Sequence, residues 1–482
     1  MPPPPLPPWV RVADFATVIL SVLTVRVAVF GPLRLGGLSI GDPWRTLFLV
    51  AVVCGLRHYL VRTPAVHQRV WNGLVHSSQT EAVRAVWPIV VVTRPAVLLV
   101  GYLAVSSIGF PEGAPPIRVS DNEALNLLLR WDTGWYLNVA IEGYQWSAAT
   151  EGQQNIAFFP AYPLIAEGVA NLLGAQSVFG VPLDLPPRLA LERFQQFFLG
   201  SGLLVSWLAF AWGMVWLYRL AREHVDDRSA GAALLLMAAY PFAIFFSAAY
   251  TESLLLLAVV AAFYQFRHEA WISAAAWGLL AGLTRPNGCL LAGPLAVIGL
   301  RQWLAQRASG VAREQLVRHA VVAWTVAAMP LVGMLIYSGF TYSLTGDPFA
   351  WLEAHTIWGR SYAEFPSLIV PLGTQAGWGG EYASTQPIAA LNAMAAVLAC
   401  TLMWPVTRRL GPEYGLFMLL YVGPPLLFGG FLSVGRATSL LFPMFLYLAL
   451  VLADRRRQTL VSGFACLQGL AAVLFFTWHR LL

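Results

Sequence analysis

Apolar residues run along the chain in long blocks, near 12–30, 44–61, 87–110, 192–218, 229–249, 251–266, 271–284, 287–303, 321–341, 387–405, 413–432, 437–453 and 459–478. A bilayer core needs about 20 apolar residues per helical crossing. The blocks therefore predict an all-α, polytopic membrane protein with about 13 transmembrane helices (about 11–14), a single membrane domain over 1–482. N-terminal helices fill 1–110, central helices 158–341 and C-terminal helices 387–482. Polar sequence collects in two long connections, 111–157 and 342–386, both rich in Trp, Tyr, Asp, Glu and Gly. Connections this long exceed what joining two helices needs. The block "FFPAYPLIAEGVANLLG" (158–174) holds two Pro, a Glu and an Asn, so it reads as an interfacial or re-entrant helix. The pieces 271–284 and 287–303, broken at "TRPNG", read as a paired, partly re-entrant unit.

Composition sharpens this picture. Of 482 residues, 58% are hydrophobic and 11% charged, against about 25% charged in soluble domains. Every one of the 30 basic residues is Arg, which excludes Schiff-base and P-loop lysines and leaves Arg, His, backbone amides or a metal to hold an anion. The net charge of +6 lies in short loops and reads as topology, not as a nucleic-acid site. With the N-terminus inside, most Arg fall in inner loops, and 111–157 and 342–386 face outward. Arg26 and Arg94 fall within spans, and Arg94 is expected to pair with a carboxylate. The Pro-rich start "MPPPPLPPWVRVADF" lacks a small-residue cleavage site and predicts an uncleaved first helix. Cys54, Cys289, Cys400 and Cys466 lie far apart in or beside apolar blocks, as small core residues and not as disulfides or a zinc site. No internal repeat is evident, which argues against a secondary transporter.

Five stretches carry candidate chemistry. In "RWDTGWYLNVAIEGY" (130–144), Asp132 and Tyr136 share one helix face, with Trp131 and Trp135 on the next. A carboxylate desolvated among rings can act as a general base; equally, Asp132 can cap a helix while the Trp moor the loop to the interface. In "AAYPFAIFFSAAYTES" (238–253), Tyr250 and Glu252 end one span where another begins, and Glu252 either orients a substrate hydroxyl or caps the next helix. In "GLTRPNG" (282–288), Arg285 stands at a helix end beside Asn287. An Arg at membrane depth needs a partner, and a phosphate suits its bidentate fork, although it can also simply snorkel. "TGDPFAWLEAHTIWGR" (345–360) opens on a helix-start signal at Asp347 and presents His355 and Arg360 on the outer side, and "FLSVGRATSLLFP" puts Arg436 at an outer turn as a second phosphate candidate. His355 and His479 alone of the His fall outside, so no His-based metal cluster is expected and no cofactor is assigned; a carboxylate-held divalent metal stays open.

In this order, "RWDTGWYLNVAIEGY", "NIAFFPAYPLI", "YPFAIFFSAAYTESLLL", "GLTRPNG", "TGDPFAWLEAHTIWGR" and "SVGRATSLLFPMF" resemble the polytopic GT-C glycosyltransferases, and among them the PIG-V-type mannosyltransferases and their bacterial relatives. The resemblance spans Arg130 to Pro443. It implies a GT-C-like fold and transfer of a sugar, usually mannose, from a polyprenyl-phosphate-sugar donor at the outer face of a bacterial-type plasma membrane. It also implies an essential acidic residue in the first outer loop, by position Asp132. Two spans precede the one expected to lead into that loop, and "TRPNG" stands where relatives often carry a Ser-Asn type turn, so a glycan, glycolipid or protein acceptor all stay open. The expected mechanism is an inverting displacement in which Asp132 takes the acceptor proton and Arg285 or Arg436 stabilises the leaving lipid phosphate. Trp131, Trp135, Tyr136, Tyr250, Glu252, Asn287, His355 and Arg360 are the expected substrate contacts. The competing readings are a transporter, with Arg94, Arg285 and Glu252 along a pathway, and a non-catalytic subunit that binds a lipid-linked sugar.

Overall fold

The computed structural model describes residues 7–30, 33–35, 38–40, 42–61, 66, 79–115, 117–147, 152–175, 186–355, 386–429 and 433–479. The described residues are helical apart from one short antiparallel hairpin, Leu33–Leu35 with Leu38–Ile40, absent from the all-α expectation. Three-residue strands are too short to leave an alternating pattern in sequence.

The chain divides into two compact units. One holds Met1–Arg84 and Ala166–Ser201. In it, helices Pro8–Phe30 and Pro43–Leu60 are joined through the hairpin, and Asp42 caps the second by accepting from Trp44 N–H. Arg57, placed in a loop by its charge, is buried in that helix's last turn. It donates to Asp14 Oδ1 at 2.7 Å and to the Val61 carbonyl at 2.6 Å. An ion pair between two apolar helices removes both charges from lipid at once.

The other unit holds Ala85–Ile165 and Gly202–Leu482 and contains every candidate site residue. Its centre is the helix Glu252–Arg267, buried along nearly its whole length. At 16 residues it is about 24 Å long, and charge is placed at both ends. At its C-terminal end Arg267 binds Glu223 at 2.7 Å and reaches the buried Glu413 at 3.3 Å, which also holds Arg301. At its N-terminal end Glu252 enters the site described below. A second close packing joins Trp271–Thr284 to Met329–Thr345, where a Cβ at Gly282 would meet the Pro330 carbonyl and Gly333 Cα.

Several apolar runs prove to be broken helices. Run 229–249 is the helix Asp227–Ala239 followed by a 3-10 turn, Pro241–Phe246. Run 287–303 is a 3-10 turn, Pro286–Leu291, and the helix Ala292–Ala308; run 437–453 is likewise divided, Val434–Thr438 and Phe442–Val451. Run 321–341 is bent by 43° between Arg313–Ala327 and Met329–Thr345. Among the described residues, 6 helices are long and apolar enough to cross a membrane, or up to 7 with the bent pair. The expected re-entrant block is the 12-residue helix Ala161–Leu172, about 18 Å and too short to cross. All four Cys are free thiols, but only Cys289 is a buried core residue; Cys54 is half-buried and Cys400 and Cys466 are exposed on the protein surface, contrary to expectation.

Arg94 corrects an expectation. Its partners among the described residues are carbonyls, the Thr93 hydroxyl and a ring in place of a carboxylate. It donates to Ala238 and Ala243 carbonyls at 2.6 Å each and lies over Phe210. The break at Tyr240-Pro241 leaves carbonyls without helical donors. Arg94 and Gln468, the latter donating to Ala238 and Tyr240 carbonyls at 2.9 and 2.8 Å, satisfy them. This places Arg94 in the frame of the fold.

Candidate active site

Asp132 is the first residue of the helix Asp132–Glu142, and the capping position falls on Trp131. The carboxylate is therefore not spent as a cap. Its Oδ2 accepts from Arg436 Nη1 at 2.6 Å, across 304 positions of sequence. Arg436 lies on the short helix Val434–Thr438 and its Nε donates to Glu252 Oε1. The same oxygen accepts from Arg285 Nη1, which also donates to Thr251 Oγ1 at 2.9 Å. Glu252 is likewise a first helical residue, with Thr251 at the capping position. Four sequence motifs thus close into one array, Asp132–Arg436–Glu252–Arg285.

Exposure grades along this array. The Glu252 side chain is 0% exposed and Arg436 8%, while Asp132 and Arg285, at the two ends, are each 21% exposed. A fully buried carboxylate is tolerable only when paired, and two guanidinia supply that pairing. Burial pulls the Arg436 guanidinium down, but Glu252 and then Asp132 outweigh it and hold the group well above its usual range. Its face packs on Tyr250 and Phe245, 4.8 and 5.1 Å from the ring centroids. Arg436 Nη2 is buried with no hydrogen-bond partner among the described residues, and so is Asn287 Oδ1 in the turn after Arg285. Most buried polar groups in folded proteins are paired, so these two atoms beside the array stand out as candidates to meet a bound group. The array is an acceptor at one open end, a cation at the other, and an unsatisfied guanidinium edge between them.

The aromatic residues divide. Tyr136 is buried among Phe158, Tyr162 and Tyr250, with ring centroids 5.5, 5.1 and 6.1 Å away. Burial, and then Asp132, raise its phenol, so the hydroxyl stays protonated. Tyr250 OH accepts from Asp132 N–H at 3.0 Å and donates to the Arg130 carbonyl at 3.2 Å, fixing the turn that carries Asp132. Trp135 stacks on Phe158 at 5.7 Å, half-buried at the loop surface. Trp131 donates its indole N–H to the Phe475 carbonyl at 3.1 Å.

His355 sits elsewhere. It ends the short helix Ala350–Ala354 and bonds the carbonyl of Trp351 at 2.7 Å, a residue packed with Phe159 and Tyr337. Asp347 starts this segment by accepting from Phe349 N–H at 2.8 Å. Arg360 lies outside the described residues. Among the described residues no group of three or more His, Cys, Asp or Glu is arranged to hold a metal ion.

Two residues escaped the sequence reading. Arg130 is 2% exposed, donates to the Phe476 carbonyl at 2.8 Å and to Glu123 at 3.4 Å, and burial lowers its guanidinium to about 10 against the pull of Glu123. Asn155 ties the loop by accepting from Gln145 N–H and donating to Asn138 Oδ1 and the Gly143 carbonyl, at 3.0, 2.8 and 2.9 Å. Arg130 directly precedes the Trp-Asp pair and its near-complete burial was the missing datum. Asn155 had no signal beyond its place in the loop.

Among solved structures, the chain is similar to the oligosaccharyltransferase of Archaeoglobus fulgidus in its apo form, at 14% identity over 80% of this chain and 56% of that one, with a TM-score of 0.37. It is also similar to AglB from the same organism in complex with an inhibitory peptide and a dolichol-phosphate, at 12% identity over 80% of this chain and 55% of that one, with a TM-score of 0.35. The chain spans little more than half the length of these structures. No curated protein matches it. A family model described as mannosyltransferase (PIG-V) matches residues 106–347, half of the chain and the part that holds Asp132, Glu252 and Arg285. The protein, an integral membrane protein by its long apolar helices, belongs to the PIG-V mannosyltransferase family.

Proposed function

We propose that this protein is an inverting GT-C-type glycosyltransferase that moves a sugar, mannose, from a polyprenyl-phosphate-linked donor to an acceptor hydroxyl at the outer face of a bacterial-type plasma membrane. The observation that carries the reading is the Asp132–Arg436–Glu252–Arg285 array, with its two open ends and its unsatisfied Arg436 edge. Glycosyl transfer from a lipid phosphate needs a base for the incoming hydroxyl and cations for the departing phosphate. Asp132, at one open end, takes the acceptor proton as the hydroxyl oxygen attacks the anomeric carbon. The bond from that carbon to the phosphate oxygen breaks, and the negative charge left on the lipid phosphate falls to Arg436 Nη2 and the open edge of Arg285. Glu252 holds both guanidinia. Asn287 Oδ1 can accept from a sugar hydroxyl. Membership of a mannosyltransferase family supports a sugar-transfer reading; the outer-face assignment rests on the distribution of Arg along the chain, with the N-terminus inside.

The test is purified protein reconstituted in liposomes with labelled polyprenyl-phosphate-mannose and an extracted acceptor fraction. The expected result is a labelled product whose anomeric configuration, read by NMR, is opposite to the donor's. Retained configuration would refute the single displacement. Binding of the donor without any transfer would leave a lipid-sugar binder.

A further inference from the structure

The turn that carries Asp132 is held from behind by the C-terminal end of the helix Asp454–Phe476. Arg130 Nε donates to the Phe476 carbonyl at 2.8 Å, and Trp131 Nε1 to the Phe475 carbonyl at 3.1 Å. Both acceptors belong to the last turn of a helix, where carbonyls lack intrahelical donors and the dipole favours a cation. Trp478, just beyond, packs its ring 5.1 Å from Trp131, and the Arg130 guanidinium lies 5.4 Å from Trp478 and 5.3 Å from Phe110. The Phe476 ring is seated against Gly101, where a Cβ would overlap it. Between these holds, Trp131 adopts φ 51 and ψ −116, a backbone conformation open to Gly and avoided by bulky residues. A strained residue persists only where its surroundings over-determine it. The surroundings here are two side-chain anchors on adjacent residues, and the next residue is Asp132.

We propose that Arg130, Trp131 and Trp478 form a positioning clamp through which the end of the last helix sets the carboxylate of Asp132 against Arg436. This rests on the reading of Asp132 as the base. Arg130 and Trp131 touch no reacting atom; they fix where the turn ends and the helix begins. The clamp explains the positive φ at Trp131 and the burial of Arg130 in a loop, and it makes a helix outside the family-matched stretch 106–347 a part of the site.

Full-length variants Trp131→Phe, Arg130→Lys, Trp131→Ala and Trp131→Gly test it in the reconstituted transfer assay, with melting temperatures alongside. Trp131→Phe keeps the ring and loses the N–H. Its kcat should fall on the order of 10–100-fold, the effect of misplacing a catalytic group by about an ångström, with donor KM within about twofold because donor contacts are untouched. Arg130→Lys, which cannot span both Phe476 and Glu123, should behave alike. Trp131→Gly should melt above Trp131→Ala, reversing the usual order because only Gly relaxes at positive φ, while both stay slow. Wild-type kcat in Trp131→Phe and Arg130→Lys would overturn the clamp, as would activity lost only in proportion to folded protein, or Ala melting above Gly. Should neither truncation fold, Trp131→Phe and Arg130→Lys decide alone. An active Asp132→Asn protein would instead sink the base assignment, whatever the clamp variants do.

Discussion

Replacing Glu252 by Gln is the sharpest perturbation of the site that leaves both of its open ends untouched. The carboxylate is 0% exposed and receives two guanidinia through Oε1. The amide keeps the shape and one acceptor but removes the charge. Arg436, 8% exposed, is then left with Asp132 at 2.6 Å as its only carboxylate, and Arg285 with Thr251. Removing one partner of a buried pair destabilises by about 3–5 kcal/mol. Because Asp132 still faces Arg436 and the Gln oxygen can accept one bond, the lower end, about 3 kcal/mol, is the expected loss. Arg285→Gln should lose about 1 kcal/mol, since that side chain reaches water and Glu252 keeps Arg436. Unfolding in mixed micelles of rising SDS content, followed by the fluorescence of the 19 Trp, gives both differences on one scale. A Glu252→Gln protein within about 0.5 kcal/mol of wild type, the scatter of an ordinary surface change, would refute the buried array, as would a larger loss in Arg285→Gln.

Three further outcomes are expected. Gly282→Ala puts a methyl against the Pro330 carbonyl and Gly333, backbone that cannot rotate away, so the same titration should show a loss of about 1–3 kcal/mol, larger than for Gly278→Ala, which meets the Pro330 ring. Asn287→Ala removes a buried oxygen without a partner and should leave stability unchanged; kcat/KM for the donor should nonetheless fall about tenfold, the worth of one lost hydrogen bond of roughly 1.4 kcal/mol. Burial, and then Arg267, lower the pKa of His224 below its ordinary value, and the neutral ring shares a 2.9 Å hydrogen bond with Tyr414 OH. As pH falls below about 6.5 the unfolded chain takes up a proton that the folded one resists, so stability falls with it. Melting temperatures between pH 8 and pH 5.5 should therefore drop further in wild type than in His224→Gln.

The helical, membrane-embedded fold was legible because apolar blocks long enough for a bilayer leave no other reading of the composition. The breaks were less so. Tyr240-Pro241 and Leu291-Ala292 lie inside uninterrupted apolar sequence, and what stabilises the first, the carbonyls taken up by Arg94 and Gln468, comes from distant helices. The site's members were legible one by one, as charges at helix ends beside aromatic rings. Their coupling was not. Asp132 and Arg436 lie 304 positions apart, and nothing local shows that one guanidinium serves two carboxylates. Local reading also gave Asp132 and Glu252 the option of capping helices, which the structure removes by placing each one residue inside its helix. Arg130 was passed over because a charge in a loop ordinarily faces water, and here it sits between two rings at the end of another helix.

The most direct test of the proposed chemistry is single-turnover transfer by Asp132→Asn with labelled polyprenyl-phosphate-mannose and saturating acceptor, beside a binding measurement with the same donor. A positioned general base contributes about 10²–10⁴-fold, and the amide cannot accept the proton while it can still accept from Arg436. The expected result is donor affinity within a few-fold of wild type, a folded protein that loses only about 1 kcal/mol of stability, as for the equally exposed Arg285, and a transfer rate lower by at least about 10²-fold. Transfer at the wild-type rate by the folded variant would contradict the assignment of Asp132 as the base.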